Sequence, residues 1–268
     1  MLQRWRQRWQ ARREAAAVRR RSIPDDLWKR TLVRYPFLQR RDAATVAELR
    51  RLTSLFLDSK EFSTVGGLRL TDAMVVAIAA QAVLPVLRLS LARYAGFVGI
   101  VVHADQVVAR RHVADDDGIV HEYDEVLAGE AVQGGPVMLS WRDVRAGGMG
   151  AAAAAYNVVI HEFAHVLDME DGLANGMPLL PPGIAAQEWR ATLSADFRHF
   201  AQRVAAGEVT ALNPYGTQGE EEFFAVASEA FFVSAEAMKK EHPALYGMFS
   251  RFYAQDPAAE QPAPRRKR

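Results

Sequence analysis

The residues with the clearest chemical potential are two histidines and a glutamate in the stretch AYNVVIHEFAHVLDMEDG. His161 and His165 are four residues apart, so on an α-helix their side chains lie about 40° apart around the axis and about 6 Å apart along it. Two imidazoles at that offset can bind one metal ion at about 2.1 Å each. Glu162 is rotated away from both, yet it can reach a water on the metal, which suits a general base. The spacing H-E-x-x-H therefore predicts a metal-dependent hydrolytic centre.

The residues around this motif are apolar on most sides, which predicts a buried helix. A buried polar cluster needs partners, because unpaired polar groups cost several kcal/mol to bury. A metal ion would supply those partners. The competing interpretation is a pair of core histidines satisfied by ordinary hydrogen bonds.

A third ligand is needed, since a catalytic zinc usually has three protein ligands and one open position. The chain has no cysteine, so only histidine and carboxylate remain as ligand types, and no H-x-x-G-x-x-H continuation follows the motif. The apolar helix predicted over GEEEFFAVASEAFF carries Glu222 and Glu229, which are a heptad apart and face nearly the same way. The pattern does not decide which of these two glutamates is the ligand. In the alternative interpretation, both are surface carboxylates.

The elements that must position these groups suggest an α+β fold. Helical periodicity dominates before residue 60 and after residue 150, whereas FVGIVVH, GIVHEYDEVLAGEAV and PVMLSW favour short strands. The pair Gly66-Gly67 suggests a hairpin. Strands that are segregated from helices are typical of the α+β class. We expect residues 24–255 to form a single domain.

The composition narrows the function classes. The 268-residue chain has a net charge of +1, which gives no general attraction to nucleic acid, and no direct nucleic acid binding is expected. The arginine-rich start lacks the apolar core of a secretory signal. The longest apolar run, 73–87, is too short to span a bilayer and is interrupted by Gln81 and Pro85. We expect a soluble, cytoplasmic protein without a transmembrane segment.

Both termini are predicted to lie outside the domain. Residues 1–23 read as a basic, partly disordered arm, in which Trp5 and Trp9 would share a helix face that could contact an acidic partner or a membrane surface. Residues 256–268 are rich in proline, alanine and charge, and they read as a disordered tail.

Four blocks of this sequence, HEFAHVLD, NPYGTQGEEEFFAVASEAFF, GGPVMLSW and FSTVGGLRLTDAM, resemble the family of Mlc titration factor A (MtfA), a family of zinc peptidases. The similarity runs from about residue 35 to 255, with the blocks in the same order and spacing. It implies a mostly helical, zincin-like metallopeptidase domain of the gluzincin type, with a small mixed sheet beside the H-E-x-x-H helix. It also implies one Zn²⁺ per chain.

The resemblance assigns further roles. It implies Glu222 as the third zinc ligand and Tyr215 as a residue that assists catalysis. A phenol can donate a hydrogen bond to the oxyanion of a tetrahedral intermediate. The alternative for Tyr215 is a loop tyrosine that packs its ring.

Two further carboxylates are predicted to support the ligands. The resemblance implies that Glu229 orients His161 or His165 by accepting its outer ring N–H. Asp168, three residues after His165, is expected to act in the same way, and the alternative is a contact at the helix end.

The segment before the site helix is a candidate for substrate binding. Extended peptides can bind by adding a strand to the edge of a sheet, and the glycines and proline before this segment suit an edge position. We therefore expect a substrate-binding strand formed by Val137, Met138, Leu139 and Ser140. The alternative is an ordinary strand of the sheet.

Two functions are compatible with these features. The first is a zinc metallopeptidase that acts on peptide substrates, for which the resemblance implies aminopeptidase-like action. The second is a regulatory protein that sequesters a transcriptional repressor of sugar-uptake genes, of the Mlc type. A protein that only binds would tolerate the loss of Glu162, whereas a peptidase would not.

Overall fold

The computed structural model describes residues 2–114, 120–147 and 155–259. The helices of these residues are α1 Leu2–Arg20, α2 Asp25–Arg34, α3 Ala43–Ser59, α4 Asp72–Ala82, α5 Trp141–Ala146, α6 Val158–Asp168, α7 Ala186–Ala205, α8 Glu220–Val233, α9 Ala235–Glu241 and α10 Pro243–Tyr253. The strands are β1 Glu61–Thr64, β2 Gly99–His103, β3 Val107–Ala114, β4 Val120–Leu127, β5 Gly129–Ala131 and β6 Val137–Ser140. Helices dominate both ends of the chain and strands its middle, which confirms the α+β prediction.

The main sheet is small and mixed, with the strand order β1-β2-β6-β5. The first three strands are parallel, and β5 runs antiparallel to β6. Strands β3 and β4 form a separate antiparallel ribbon. The predicted hairpin around Gly66-Gly67 is wrong, because the strand before it, β1, pairs in parallel with β2 instead of with a strand that follows the glycines.

The expectation that Val137, Met138, Leu139 and Ser140 form an edge strand is also wrong. These residues are β6, which lies inside the sheet with β2 on one side and β5 on the other. Both rows of its backbone groups already face neighbouring strands, so a peptide cannot add to it. The edge position on this side of the sheet belongs to β5.

Three apolar helices form the centre of the core, and each of them packs against the next. Helix α4 packs against α6, and α6 packs against α8. Every residue of α8 from Phe223 to Phe232 is buried, as are six of the apolar positions of α6. The two helices that carry the motif residues are therefore held on several sides, which fixes the direction of their few polar side chains.

Helix boundaries follow local capping chemistry. Thr71 caps α4 by accepting a hydrogen bond from the Met74 N–H, as expected from its position before the apolar run. Asn157 caps α6 in the same way, with its Oδ1 accepting from the Ile160 N–H at 3.0 Å. Helix α6 thus begins three residues before His161, so that both histidines lie within one regular helix.

The N-terminal segment differs from the expected partly disordered arm, because it forms the helix α1. Ala17 is buried, and the last turns of α1 pack on α3. Arg20 donates to Asp58 at 2.7 Å, and Arg51 of α3 donates to Glu14 at 3.0 Å. Partners some 40 residues away in the chain therefore support this helix, and such contacts do not show in a local pattern.

The predicted disordered tail falls partly outside the described residues, at 260–268. Its first residues form a turn that is tied to α10. The Tyr246 hydroxyl donates to Asp256 at 2.6 Å and accepts from the Ala258 N–H at 2.9 Å. Among the described helices, none combines the length and the apolar character that crossing a membrane requires.

Candidate metal centre

The structure brings His161, His165 and Glu222 together where α6 meets α8. His161 Nε2 lies 3.2 Å from His165 Nε2 and 3.1 Å from Glu222 Oε2, and His165 Nε2 lies 3.5 Å from Glu222 Oε1. One ligand atom from each residue falls within 4.8 Å of the other two. These are the two histidines of the motif and the third residue implied by the family resemblance.

This donor set fits a divalent metal ion. Two imidazole nitrogens and a carboxylate oxygen match the ligand types of catalytic zinc sites. Glu222 Oε2 is buried, and among the described residues it has no partner with hydrogen-bond geometry. A buried carboxylate oxygen without a partner is costly, and a cation between the three residues would satisfy it.

The electrostatics of the cluster favour a positive charge. Burial opposes ionisation of Glu222, but the neighbouring imidazoles of His161 and His165 outweigh it and lower the pKa of the carboxyl to about 2. Burial also opposes the charged form of His161, but Glu222 and Glu229 raise its pKa well above the ordinary value. The site therefore draws either a proton or a metal ion to the same place.

Glu229 holds the first histidine in orientation. Its Oε1 lies 2.8 Å from His161 Nδ1, and its other oxygen accepts a hydrogen bond from the Asn157 N–H. With Nδ1 facing this carboxylate, Nε2 is the ring nitrogen left to face Glu222 and His165. This is the arrangement that commonly fixes the ring of a metal-binding histidine, and it agrees with the contact predicted for Glu229.

Glu162 is 5% exposed and lies against the edge strand β5. Burial raises the pKa of its carboxyl, although the two nearby imidazoles oppose the shift. A raised pKa suits a group that takes up a proton near neutral pH. The position on the same helix as both histidines places this carboxylate beside the cluster.

Gly129 of β5 makes this close approach possible, and no pattern in the sequence singled it out. A Cβ atom at Gly129 would lie 2.5 Å from Glu162 Oε1 and 2.7 Å from its Cγ. Any side chain there would displace the glutamate. The only sequence signal was a glycine inside a strand-like run, which often marks a close backbone approach.

Tyr215 lies in a short 3-10 segment, Pro214–Thr217, just before α8. Asn213 fixes that segment by accepting a hydrogen bond from the Tyr215 N–H at 3.0 Å. The Tyr215 ring is partly exposed, and its centre lies 6.0 Å from that of His161. The tyrosine is thus beside the cluster.

Asp168 does not hold either histidine by a described hydrogen bond, contrary to the role favoured from the sequence. Its Oδ2 accepts from the N–H groups of Asn175 and Gly176, at 2.9 Å and 2.8 Å. Burial raises its pKa to about 6, against the effect of these backbone hydrogen bonds. Asp168 therefore ties the end of α6 to the following loop, which is the alternative considered for it.

The comparisons with known proteins point to a family of metallopeptidases. The model of the glucose-regulated metallo-peptidase M90 family matches residues 5–254. An Mlc titration factor A of Edwardsiella ictaluri is 36% identical over 217 residues, covering 78% of this chain and 81% of the relative. That of Klebsiella pneumoniae subsp. pneumoniae is 32% identical over 237 residues, covering 87% and 88%. An uncharacterized protein of Synechocystis sp. is 32% identical over 225 residues, covering 84% and 82%.

The family match spans nearly all of the described chain, and the relatives are similar over most of their own length. The matched residues include both helices of the cluster, α6 and α8, and the strand β5 against which Glu162 lies. The chain therefore belongs to the glucose-regulated metallo-peptidase M90 family, together with the Mlc titration factor A proteins.

Proposed function

We propose that this protein is a zinc-dependent peptidase that removes residues from the amino-terminal end of short peptides. The observation that carries the proposal is the convergence of His161, His165 and Glu222 beside the buried carboxylate of Glu162. Family membership supports a metallopeptidase. The donor types support zinc, because nitrogen and oxygen ligands of this kind are its usual partners.

The three residues of the cluster would hold the ion. When bound, zinc supplies a Lewis acid that polarises a peptide carbonyl and acidifies a water molecule. Glu162 takes up the proton of the attacking water and passes it to the leaving amine. Its raised pKa assists the first step, because a stronger base removes the proton more readily. Tyr215 donates its hydroxyl hydrogen to the oxyanion that develops on the substrate.

The substrate peptide binds beside Glu162 along β5. This strand is at the edge of the main sheet, and its residue Gly129 contacts the glutamate. A peptide that adds to β5 as a further strand is held by main-chain hydrogen bonds, which do not depend on its sequence. The scissile bond is then brought to the cluster without any requirement for one particular side chain.

The test is hydrolysis of amino acid nitroanilides and short peptides by the zinc-loaded protein and by Glu162→Gln. The substitution keeps the size of the side chain and removes the base. We expect zinc content to be unchanged and turnover to fall at least about 100-fold, within the range that a general base contributes. Full activity of Glu162→Gln would refute the role of the glutamate, and no hydrolysis of any substrate by the wild type would refute the peptidase.

A second function rests on the relatives. Several of them are named Mlc titration factor A, which supports binding of an Mlc-type transcriptional repressor. Such a repressor acts on DNA, so this function requires the cytoplasmic location expected from the sequence. Co-elution of the purified protein with an Mlc-type repressor in gel filtration tests it, and Glu162→Gln should co-elute as the wild type does. Separate elution at micromolar concentrations would contradict it.

A further inference from the structure

A cavity of about 350 Å³ lies beside the carboxyl-terminal half of α6. It is enclosed by that helix, by the turn that joins β5 to β6, and by the segment that leads into β2. The apolar part of its wall includes Phe97, Val132, Val137, Val166 and Met169, and Gln133 adds one uncharged polar side chain. None of these side chains belongs to the metal cluster.

Two elements, α6 and β5, connect the cavity with Glu162, the general base of the proposed peptidase. Val166 follows Glu162 by four residues on α6, so the two side chains share a helix face about 6 Å apart along the axis. Val132 directly follows β5, whose Gly129 contacts Glu162. The cavity is therefore about one helical turn along α6 from Glu162, a distance that an extended peptide spans in about two residues, since it rises about 3.3 Å per residue.

Strand direction decides which side of the cleaved bond the cavity serves. Strand β5 runs from Gly129, beside Glu162, toward Ala131 and the cavity. An added strand that runs antiparallel to β5 has its amino-terminal end on the Ala131 side. The cavity then lies on the amino-terminal side of the scissile bond.

The charges at the cavity compensate each other. Arg93 Nε donates to Glu170 Oε2 at 2.6 Å, and Arg93 Nη2 donates to the Leu179 carbonyl at 2.8 Å. The two charged side chains that line the cavity are thus paired with one another. A charged ligand side chain gains no single opposite charge there, whereas an apolar one gains contact with the hydrocarbon wall.

One wall of the cavity is held rigidly. The Lys60 ammonium donates to the carbonyls of Tyr94 and Phe97 and lies 3.7 Å from the centre of the Phe97 ring. Lys60 and Phe97 are themselves buried. The ring that faces the cavity is therefore fixed before any ligand binds, which lowers the entropy cost of binding.

We propose that this cavity is the subsite for the side chain on the amino-terminal side of the cleaved bond, and that it selects apolar side chains of the size of leucine. This inference rests on the proposed peptidase function and adds a specificity to it. The position of the cavity gives the side of the bond, and its apolar wall with internally paired charges gives the chemical class.

Amino acid nitroanilides test the subsite, because their only side chain lies on the amino-terminal side of the scissile amide. We expect kcat/KM to be about 10-fold higher for leucine nitroanilide than for alanine nitroanilide, the order of discrimination that a few methyl groups give in an apolar pocket. Val166→Phe fills the cavity and should bring the ratio close to about one. Val33→Phe, at an exposed position of α2, is the matched control and should keep the ratio of the wild type.

A binding measurement separates failure of the subsite from failure of the peptidase. Calorimetry compares Leu-Gly-Gly with Ala-Gly-Gly on the zinc-loaded Glu162→Gln protein, with and without Val166→Phe. A leucine preference that Val166→Phe removes supports the subsite even if no nitroanilide is cleaved. If Val166→Phe fails to fold, Val132→Phe fills the cavity from its exposed rim. A preference for leucine that survives in the folded variant, or its absence in the parent, overturns the proposal.

Discussion

Two histidines of this chain are buried beside a carboxylate, and their surroundings differ. His161 Nδ1 lies 2.8 Å from Glu229 Oε1, and His242 Nδ1 lies 2.9 Å from Asp196 Oδ1. The two histidine–carboxylate contacts are therefore nearly the same in length and in the ring nitrogen used. They differ at the other ring nitrogen. His161 Nε2 faces Glu222 and His165, whereas His242 Nε2 is buried without a partner in the described part of the chain.

The surroundings explain the difference. The His242 ring lies between two phenylalanines, Phe200 and Phe223, with ring centres 6.3 Å away in each case. It joins α7 to the α9–α10 junction and acts as a core residue. The comparison teaches that a buried histidine with a carboxylate partner does not define a metal site. A metal site also requires further ligand atoms close to the second ring nitrogen of the histidine. The following substitutions test that distinction.

The largest expected effect comes from Glu222→Ala. This change removes one of three ligands, so zinc affinity should fall by more than the roughly 10- to 100-fold that partners outside the ligand set cost. Competition with a chelator measures the affinity. Glu221→Ala, one residue earlier on α8, is the matched control and should bind zinc as the wild type does. If the two variants exchanged these results, the register of the third ligand would be wrong.

Gly129→Ala should affect turnover more than metal binding. The added methyl group would lie 2.5 Å from Glu162 Oε1, so the base must move. A displacement of about 1 Å can cost about 100-fold in rate, and we expect kcat to fall by that order with zinc content unchanged. Gly247→Ala on α10, where a Cβ meets nothing within 4 Å, should leave kcat unaltered. Normal kcat in Gly129→Ala would show that the position of Glu162 is not critical.

The carboxylate partners of the two histidines can be exchanged for amides in parallel. Glu229→Gln weakens the contact that orients His161, and zinc affinity should fall about 10- to 100-fold. Asp196→Asn makes the same chemical change beside His242 and should leave zinc affinity unaltered. Equal effects of the two substitutions, measured by the same chelator competition, would remove the distinction between the two sites.

The smallest effect on the metal is expected for His242→Ala. The substitution opens space between aromatic rings and deprives Asp196 of its partner, so the free energy of unfolding should fall by about 2 kcal/mol. Chemical denaturation of the zinc-loaded protein measures this loss. Zinc stoichiometry should not change, and a loss of zinc from the folded variant would contradict a purely structural role.

The sequence predicted those features of the site that depend on one helix alone. The spacing of His161, Glu162 and His165 on α6 follows from helix geometry, and Thr71 and Asn157 cap their helices through short-range hydrogen bonds. From the pattern alone, Glu222 and Glu229 could not be distinguished as ligands, because both project from α8 in similar directions. The family resemblance separated them, and the distances agree with it.

The features that the sequence did not predict depend on contacts between distant segments. Strand β6 is interior because β2, about 37 residues earlier, pairs with it through Ile100 and Val137. Gly129 matters only because β5 folds onto α6. Asp168 turns toward the N–H groups of a loop, and helix α1 depends on partners in α3. None of these contacts leaves a periodic signal.

The most direct test of the metal centre is the zinc content of three purified proteins, measured by elemental analysis after equal exposure to zinc and removal of the excess. We predict one zinc per chain for the wild type and for His242→Ala, and close to none for His161→Ala. One zinc per chain in folded His161→Ala would contradict the assignment of His161, His165 and Glu222 as the metal ligands, and so would a wild type that binds no zinc.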